Sequence, residues 1–553
     1  MKKIIVNKTK DPCYDGIDPL IARILAARGM NQAETVKFLY DGKESLHNPL
    51  LLKNAMTACQ IIEETIKEKK HIVIFGDYDA DGICATAILH IVLSELGAQV
   101  KIHLPDRVEN GYGLTKTAVD NIKTLNNCSL MITVDNGTAA VEEISYAKSL
   151  GMETIILDHH QPGDALPNCG AIVNPHQIDD EYPCKNLSGA GVVFKIAELL
   201  YQRAGYLREH CYRLLDLAAI GTVADVVPLM GENRIIVKEG INLLRLSPRP
   251  GIEKLLSLFN MSYGALTSGD IAFKIAPAIN ATGRLQTNGA ISSLAMVLSK
   301  NERQALKYAN VLFSVNNERK LLVDQYLQDA RNSYDGSRVH VYYNKDVPEG
   351  ILGLIAAKMK EELSLPVIAL SEGKHDIKGS ARSVQGFDIF KALAQSSSAL
   401  KKFGGHPLAA GLSMDKNEAK IKALKELLNA YAENSKFETG IIEEIKAEML
   451  LPQEKISLTL AQRLSVLEPF GEKNPNPIFF AKGFKTSGYQ FLSDKKHVKL
   501  FGNTGNAIGF GLATEYENMG KPEIIDMAVT LKINSFNGKT EPQLEIAAFG
   551  QPT

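Results

Sequence analysis

The stretch IFGDYDADG, residues 74–82, sets Asp77, Asp79 and Asp81 at every second position directly after an apolar run. Alternate residues of an extended segment point to one side, roughly 6–7 Å apart per step, so the spacing predicts three carboxylates in step at a strand end. Anions placed this way repel one another. Either they face open water, or they hold a metal or a substrate cation. Further on, Asp135 follows LMITV (130–134), Asp158-His159-His160 follow TIIL (154–157), and the apolar helix predicted over LLDLAAIGTVADVVPL (214–229) carries Asp225. One aspartate after a strand is ordinarily a turn former or a helix cap. Six carboxylates and two histidines meeting at one sheet edge are not explained that way, because a buried charge left unpaired costs several kcal/mol. A pair of divalent cations removes the conflict. Mostly oxygen ligands with one or two imidazoles favour Mn²⁺ or Mg²⁺ over zinc. Two such ions about 3.5–4 Å apart activate a water and stabilise a leaving oxygen, which makes phosphoester or phosphoanhydride hydrolysis the expected chemistry.

The elements that would carry these groups alternate. HIVIF (71–75) reads as a buried strand, ATAILHIVLSELG (85–97) as a helix, and QVKIHLP (99–105), LMITV and TIIL as further strands. Repeated β-α-β order predicts a parallel sheet with helices on both faces, whose ligands collect at the carboxyl ends of the strands. DYDADG, DNG and DHH all stand there. Before this sheet, residues 18–40 read as two short helices broken at Arg28-Gly29. After it, residues 300–333 form a helical run without Pro or Gly, read as a connector. A second α/β unit follows, with strand VHVYYN (339–344), helix 350–363 and strand PVIALS (366–371). Residues 415–450 read as a Lys/Glu/Ala-rich helix, and the remainder as short strands of an all-β tail.

The chain has 553 residues, 45% apolar and 23% charged, with a formal net charge of −1. That length predicts two to four domains of a globular protein and argues against disorder. Net charge alone favours no partner; local patches decide. Seven cysteines, odd in number and without a C-x-x-C pair, argue against a disulfide frame or a zinc site. The basic N-terminus has only a four-residue apolar run, and eighteen consecutive apolar residues occur nowhere, so no signal segment or membrane span is predicted and the cytoplasm is the expected location. A nucleotide-driven motor is not expected, because Gly538-Lys539-Thr540 has Ile533 where a phosphate-binding loop needs its first glycine.

DYDADG, VDNG, DHH and GTVADVVPL, in this order, resemble the four motifs of the DHH phosphoesterase superfamily. LPDRVENGYGL (104–114), SGAGVVFK (188–195), PAINATGRL (277–285), GSARS (379–383), FGGHPLAAG (403–411) and LEPFGEKNPNPIF (467–479) narrow the resemblance to the RecJ family of single-strand-specific 5′→3′ exonucleases. It spans nearly the whole chain.

The resemblance implies an α/β protein with a parallel-sheet DHH domain and a smaller α/β DHHA1 domain joined by a long helix, then an all-β, OB-like domain. The corresponding segments are a helical 1–45, the DHH domain at 46–300, the connecting helix at 301–334, the DHHA1 domain at 335–435 and the OB-like domain at 436–553. It implies two divalent cations, Mn²⁺ or Mg²⁺, on Asp77, Asp79, Asp81, Asp135, His159 and Asp225, with Asp135 bridging. His160 would contact the scissile phosphate, and Asp158 would orient an imidazole. Arg107 and Arg284 would lie near the 5′ end of the strand, and Ser380, Arg382 and His406 would bind phosphate. In the OB-like domain Lys495, Lys496, Lys499 and Phe501 are candidate strand contacts, suited to backbone pairing and base stacking.

Implied partners are single-stranded DNA, a helicase and a single-strand-binding protein, with no membrane, in repair and recombination. Four positions depart from the pattern: Ala278 where Arg is common, Thr282 in place of the second Ala of that run, Pro348 at an expected His, and Lys473 where Gly is common. Three alternatives carry different expectations, among them a pyrophosphatase, which would share the metals but has no use for a β tail. A phosphodiesterase for short oligonucleotides or cyclic dinucleotides predicts a much shorter chain without a β tail. A non-catalytic single-strand-binding scaffold predicts eroded acidic motifs.

Overall fold

The computed structural model describes residues 3–7, 12–105, 113–435, 437, 444–493, 495–536 and 539–550. The chain divides into two compact units. The larger comprises His47–Val227 and Glu239–Gly440; the other comprises Met1–Leu46, Pro228–Lys238 and Ile441–Thr553.

The larger unit begins with a five-stranded sheet in the order Gln99–His103, His71–Phe75, Leu130–Val134, Glu153–Leu157, Ala171–Val173. Every neighbouring pair is parallel. The β-branched runs predict this burial: Ile72, Val73, Ile74 and Phe75 are fully covered, as a strand packed on both faces requires. The chain runs outward from His71–Phe75 to Gln99–His103, then returns to place Leu130–Val134 on the other side. The strand order therefore reverses between His71–Phe75 and Leu130–Val134, and the crevice beyond their carboxyl ends is where such a sheet takes a ligand.

The helix Ala80–Glu95 starts five residues earlier than the sequence pattern predicts. Asp79 caps it, its side chain accepting the Gly82 N–H at 3.0 Å. The extended run read through DYDADG therefore stops at Asp79, and Asp81 sits in the first helical turn, not on one side of a strand with the other two. Helices Gly189–Arg203 and Leu215–Ala224 pack beside it, almost wholly buried.

The helix Glu302–Asn332 has 31 residues, about 46 Å at 1.5 Å per residue. Its buried stripe runs from Ala305 through Leu312 and Val323 to Ala330. The last part packs with Tyr342, Ile351 and Ile355 of a second α/β body. That body has a mixed five-stranded sheet in the order Lys402–His406, Ala409–Met414, Ile377–Arg382, Val367–Glu372, His340–Tyr343. The helix predicted over 415–450 is shorter, Glu418–Asn434. Its anchoring residues, Leu424, Leu428 and Ala432, end there, and a Lys/Glu-rich helix without a buried stripe gains little from propensity alone. Residues Glu444–Ala447 and Met449–Leu450 are strands.

The smaller unit is built around six strands in the order Met449–Leu450, Phe479–Leu492, His497–Gly502, Asn506–Gly509, Lys539–Phe549, Ile524–Phe536. Pairing of Phe479–Leu492 with Ile524–Phe536 closes them into a barrel. The N-terminal segment, predicted as purely helical, also has a strand: Lys3–Val6 pairs in parallel with Glu444–Ala447. Its helices Pro19–Ala27 and Gln32–Tyr40, broken at Gly29 as predicted, bury Ile21, Leu25 and Phe38 in the same core as Phe479, Val498 and Phe549 of the barrel. Among the described residues no helix is long and apolar enough to cross a membrane.

Candidate metal centre

Asp77 and Asp135 follow the two strands that flank the reversal point, and both are buried. Asp77 accepts the Tyr78 N–H at 2.7 Å. Asp81 accepts the N–H groups of Gly189 at 2.7 Å and Ala190 at 3.0 Å, at the N-terminus of helix Gly189–Arg203. Asp135 holds φ +60°, a left-handed conformation that is strained for a residue with a side chain and is tolerated where function fixes the backbone. Two glycines make room for these carboxylates. A Cβ on Gly189 would stand 2.6 Å from Asp135 Oδ1, and one on Gly221 would stand 2.3 Å from Asp81 Oδ1.

His159 lies between two acids, with Nε2 3.1 Å from Asp135 Oδ1 and Nδ1 3.6 Å from Asp225 Oδ2. His160 pairs with Asp158 instead, Nδ1 to Oδ1 at 2.7 Å. The other Asp158 oxygen accepts the Thr138 N–H at 2.9 Å. Asp158 thus orients the exposed imidazole.

The charges do not balance by themselves. Burial, then repulsion from neighbouring carboxylates, pushes Asp81 up to about 7 and Asp225 up to about 8, and carries Asp135 well above the usual range. Burial, then the neighbouring His160, draws His159 down to about 4, leaving it neutral as a ligand must be. The hydrogen bond that His160 donates to Asp158 lifts His160 to about 9. Burial opposes ionisation of Asp158, but bonds from His160 and Thr138 outweigh it and hold its carboxyl far below the ordinary range.

Asp135 Oδ1 and His159 Nε2 are buried, yet despite their approach neither has a hydrogen-bond partner. Two lone-pair atoms facing each other are the arrangement a cation resolves. Ligand atoms of Asp77, Asp79 and Asp135 gather within 4.8 Å of one another, as do those of Asp81, His159 and Asp225, and those of Asp135, Asp158, His159 and His160. Asp135 and His159 are each shared by two groups. This oxygen-rich set, with one neutral imidazole, fits divalent cations of the Mn²⁺ or Mg²⁺ kind.

A second polar group of the same unit gathers around residues 350–353. Arg284 Nη1 donates to Gly350 O at 3.1 Å. A Cβ on Gly353 would meet Arg382 Nη2 and Ser380 Oγ, each at 3.1 Å, at the start of helix Leu352–Leu363, which has no side-chain cap. Uncapped N–H groups beside two guanidinium groups suit an anion. Strand register puts exposed His406 opposite Ala409, and Ala409 opposite Arg382. Helix Ala276–Leu285 ties this group to the acidic edge: Asn280 Oδ1 accepts the Ala80 N–H at 2.7 Å, and Arg284 follows one turn later.

Arg107 lies outside the described residues. In the barrel, Lys499 sits 5.5 Å from the Phe501 ring on strand His497–Gly502, while Lys495 and Lys496 are exposed beside it. Ala278 is fully buried, Pro348 precedes the turn Glu349–Ile351, and Lys473 holds φ +60°, the conformation in which glycine is unstrained. The sequence pattern left the tasks of Ser188, Gly189, Ala190, Gly221 and Asn280 unassigned. The only hint was a serine before three small residues at a helix start, a capping signal whose carboxylate partner lies 108 positions away.

Strands delivering carboxylates and an imidazole to one crevice, a second α/β body and a closed barrel together define a hydrolase of the DHH type. Residues 71–222 match the DHH family N-terminal domain, residues 336–434 the DHHA1 domain and residues 447–548 the RecJ OB domain. The chain is 34% identical over 543 residues to the single-stranded-DNA-specific exonuclease RecJ of Bacillus subtilis, covering 96% of this chain and 68% of that one. To the Escherichia coli protein of the same description it is 31% identical, covering 96% of this chain and 95% of that one. The RecJ crystal structure with Mn²⁺ from Thermus thermophilus superposes with a TM-score of 0.84 at 27% identity, over 100% of this chain and 80% of that one. Its complex with Mg²⁺ gives 0.78 at 26% identity, over 100% and 79%. The chain belongs to the RecJ exonuclease family.

Proposed function

We propose that this protein degrades single-stranded DNA from the 5′ end, hydrolysing phosphodiesters to release 5′-mononucleotides. The observation that carries the proposal is the acidic edge at the sheet reversal, where ligand atoms of buried carboxylates and His159 gather within 4.8 Å of one another and Asp135 Oδ1 and His159 Nε2 have no hydrogen-bond partner. Asp77, Asp79, Asp81, Asp135, His159 and Asp225 would hold two divalent ions, Asp135 between them. When bound, these ions supply an activated water and neutralise charge developing on the phosphate. His160, kept protonated by Asp158, donates a hydrogen bond to a phosphate oxygen and holds the reacting diester against the edge. Arg284, Ser380, Arg382 and His406 bind phosphates of the strand, with Arg107 near its 5′ end, and Lys495, Lys496, Lys499 and Phe501 guide it in the barrel.

The functional segments are the catalytic region 46–300, the connecting helix 301–334, the phosphate-binding region 335–435 and the barrel region 436–553, preceded by 1–45. Such an enzyme works in repair and recombination in the cytoplasm, alongside a helicase or a single-strand-binding protein that supplies or coats single strands. The test is a substrate series with Mn²⁺: two- to five-nucleotide pieces, long single strands and a matched duplex. Long single strands consumed and duplex spared supports the assignment; consumption of the short pieces alone overturns it.

A further inference from the structure

In the larger unit, Ser268–Asp270, Ile271–Ile275 and Ala276–Leu285 follow one another without a break, and the middle segment is a single π-helical turn. Pro277 explains that turn. It has no N–H to give to the Phe273 carbonyl four residues earlier, and its ring crowds that carbonyl, so the helix widens. The Ala276 N–H accordingly reaches back five residues to Ile271 O. Such turns are frequent at functional sites. One face of the run is covered: Ile271, Ile275, Ala278, Ile279 and Thr282 are buried. Phe273, Pro277, Asn280 and Arg284, spaced by four, three and four, form the opposite stripe and stay at least partly exposed.

Two members of this stripe reach the site already described. Asn280 Oδ1 accepts the Ala80 N–H at 2.7 Å, between Asp79 and Asp81 in the chain. Because the amide oxygen is fixed by that N–H, its Nδ2 donors are turned elsewhere, and among the described residues they have no partner. Arg284 Nη1 donates to Gly350 O, beside the second polar group. Phe273 lies two turns before Asn280, about 16 Å along the axis from Arg284. It is 81% exposed, more than any other aromatic side chain among the described residues. Lys274 beside it is paired with Asp270 at 3.0 Å. This end of the stripe therefore offers an apolar ring and not a free charge. A phosphate is bound by charge and donors, whereas a base has a π face that an aromatic ring binds. The chain has no tryptophan, so such stacking falls to its Phe and Tyr residues.

We infer that Phe273 is a stacking platform for one base of the single strand, set back from the reacting phosphate along the helical run 268–285. The strand's phosphates follow Arg284 and Asn280, and a base a few nucleotides from the 5′ end lies on the Phe273 ring. Stacking accepts every base, so the contact holds the strand without selecting its sequence. A base inside a duplex has both faces covered by its neighbours and is not available to the ring. The inference rests on the reading of this protein as an exonuclease of single-stranded DNA.

The test measures kcat/KM for release of the first nucleotide, with Mn²⁺, from single strands that carry one abasic nucleotide at each of the first six positions in turn. The natural chain, Phe273→Ala and Phe273→Trp are compared. On the intact strand Phe273→Ala is expected to lose about 5–150-fold, the worth of one stacked base, and Phe273→Trp to stay near natural. One abasic position is expected to cost the natural chain a similar factor and to cost Phe273→Ala nothing further. In Phe273→Trp the new side chain is the sole tryptophan. Its fluorescence is expected to be quenched by a phosphorothioate-protected strand, and not by the same strand abasic at that position. Natural kcat/KM for Phe273→Ala on every strand overturns the inference and leaves the ring to a protein partner. Losses that multiply at every position overturn it too, as does a Phe273→Ala chain with a lowered melting point or weakened Mn²⁺ binding, which makes the ring structural. If the natural chain cuts single strands and Phe273→Ala matches it, the stacking platform alone is wrong. If the natural chain cuts no single strand, the exonuclease reading and the platform fall together.

Discussion

Asp135 stands where backbone strain and unpaired polar atoms coincide. Its left-handed φ aims a buried carboxylate at His159, and its Oδ1 has no hydrogen-bond donor. Asp135→Asn keeps the shape and removes the charge. The expected result is a loss of activity exceeding the roughly 10–100-fold typical of losing an outer partner, together with weaker Mn²⁺ binding in a titration. Asp158→Asn probes the other dyad. Its hydrogen bond holds His160 in place, so cleavage is expected to slow by about 10–100-fold while Mn²⁺ affinity stays near natural, separating orientation from ligation. Asp77, Asp135 and Asp158 were legible because each follows a strand by one or two positions. Their individual tasks were less so. The pattern set Asp77, Asp79 and Asp81 side by side, whereas the helix start at Ala80 sends Asp81 to the N–H groups of Gly189 and Ala190. A contact between residues so far apart in the chain leaves no local periodicity to read.

Elements hold this geometry through close approach. Gly221 lets helix Leu215–Ala224 lie against Asp81, so Gly221→Ala is expected to lower stability by about 1–3 kcal/mol in a denaturation curve and to weaken Mn²⁺ binding as Asp81 is displaced. At the far end of helix Ala80–Glu95 the work is purely structural. Burial raises the Glu95 pKa, but hydrogen bonds from Arg213, Tyr201 and His210 outweigh it and bring the carboxyl from 4.5 down to about 2. A depressed carboxylate pKa stabilises the fold in full above its ordinary value and progressively less as pH falls toward the folded one. Glu95→Gln is therefore expected to destabilise at neutral pH by about 1 kcal/mol or less, given the pair's partial exposure. That difference shrinks in melts taken between pH 4.5 and about 2. Strands were the most legible elements, since LMITV and TIIL are β-branched runs buried on both sides. The helix over 415–450 was over-read because Lys, Glu and Ala favour helix anywhere, whereas the buried stripe that anchors one stops at Ala432.

At the scale of the whole molecule the order of bodies was legible in the motifs: parallel sheet, long helix, second α/β body, barrel. What the sequence could not reveal is that Pro228–Lys238 and the N-terminal helices belong to the barrel's unit, since the core that unites them joins Ile21 and Phe38 to Phe479 and Phe549. Crowded carboxylates also make the molecule's stability depend on its ions. Mn²⁺ at a hundred times its dissociation constant is expected to stabilise the fold by about 2.7 kcal/mol, a rise in melting temperature that Asp135→Asn should largely lose. The acidic edge is proposed to hydrolyse single strands from one end. Digestion of 5′-labelled and 3′-labelled single strands with Mn²⁺, beside Asp135→Asn, tests it most directly. The 5′ label is expected to be released at once as a mononucleotide, while the 3′ label survives on progressively shorter strands and the variant is inert. Release of the 3′ label first, or cleavage undiminished in Asp135→Asn, would contradict it.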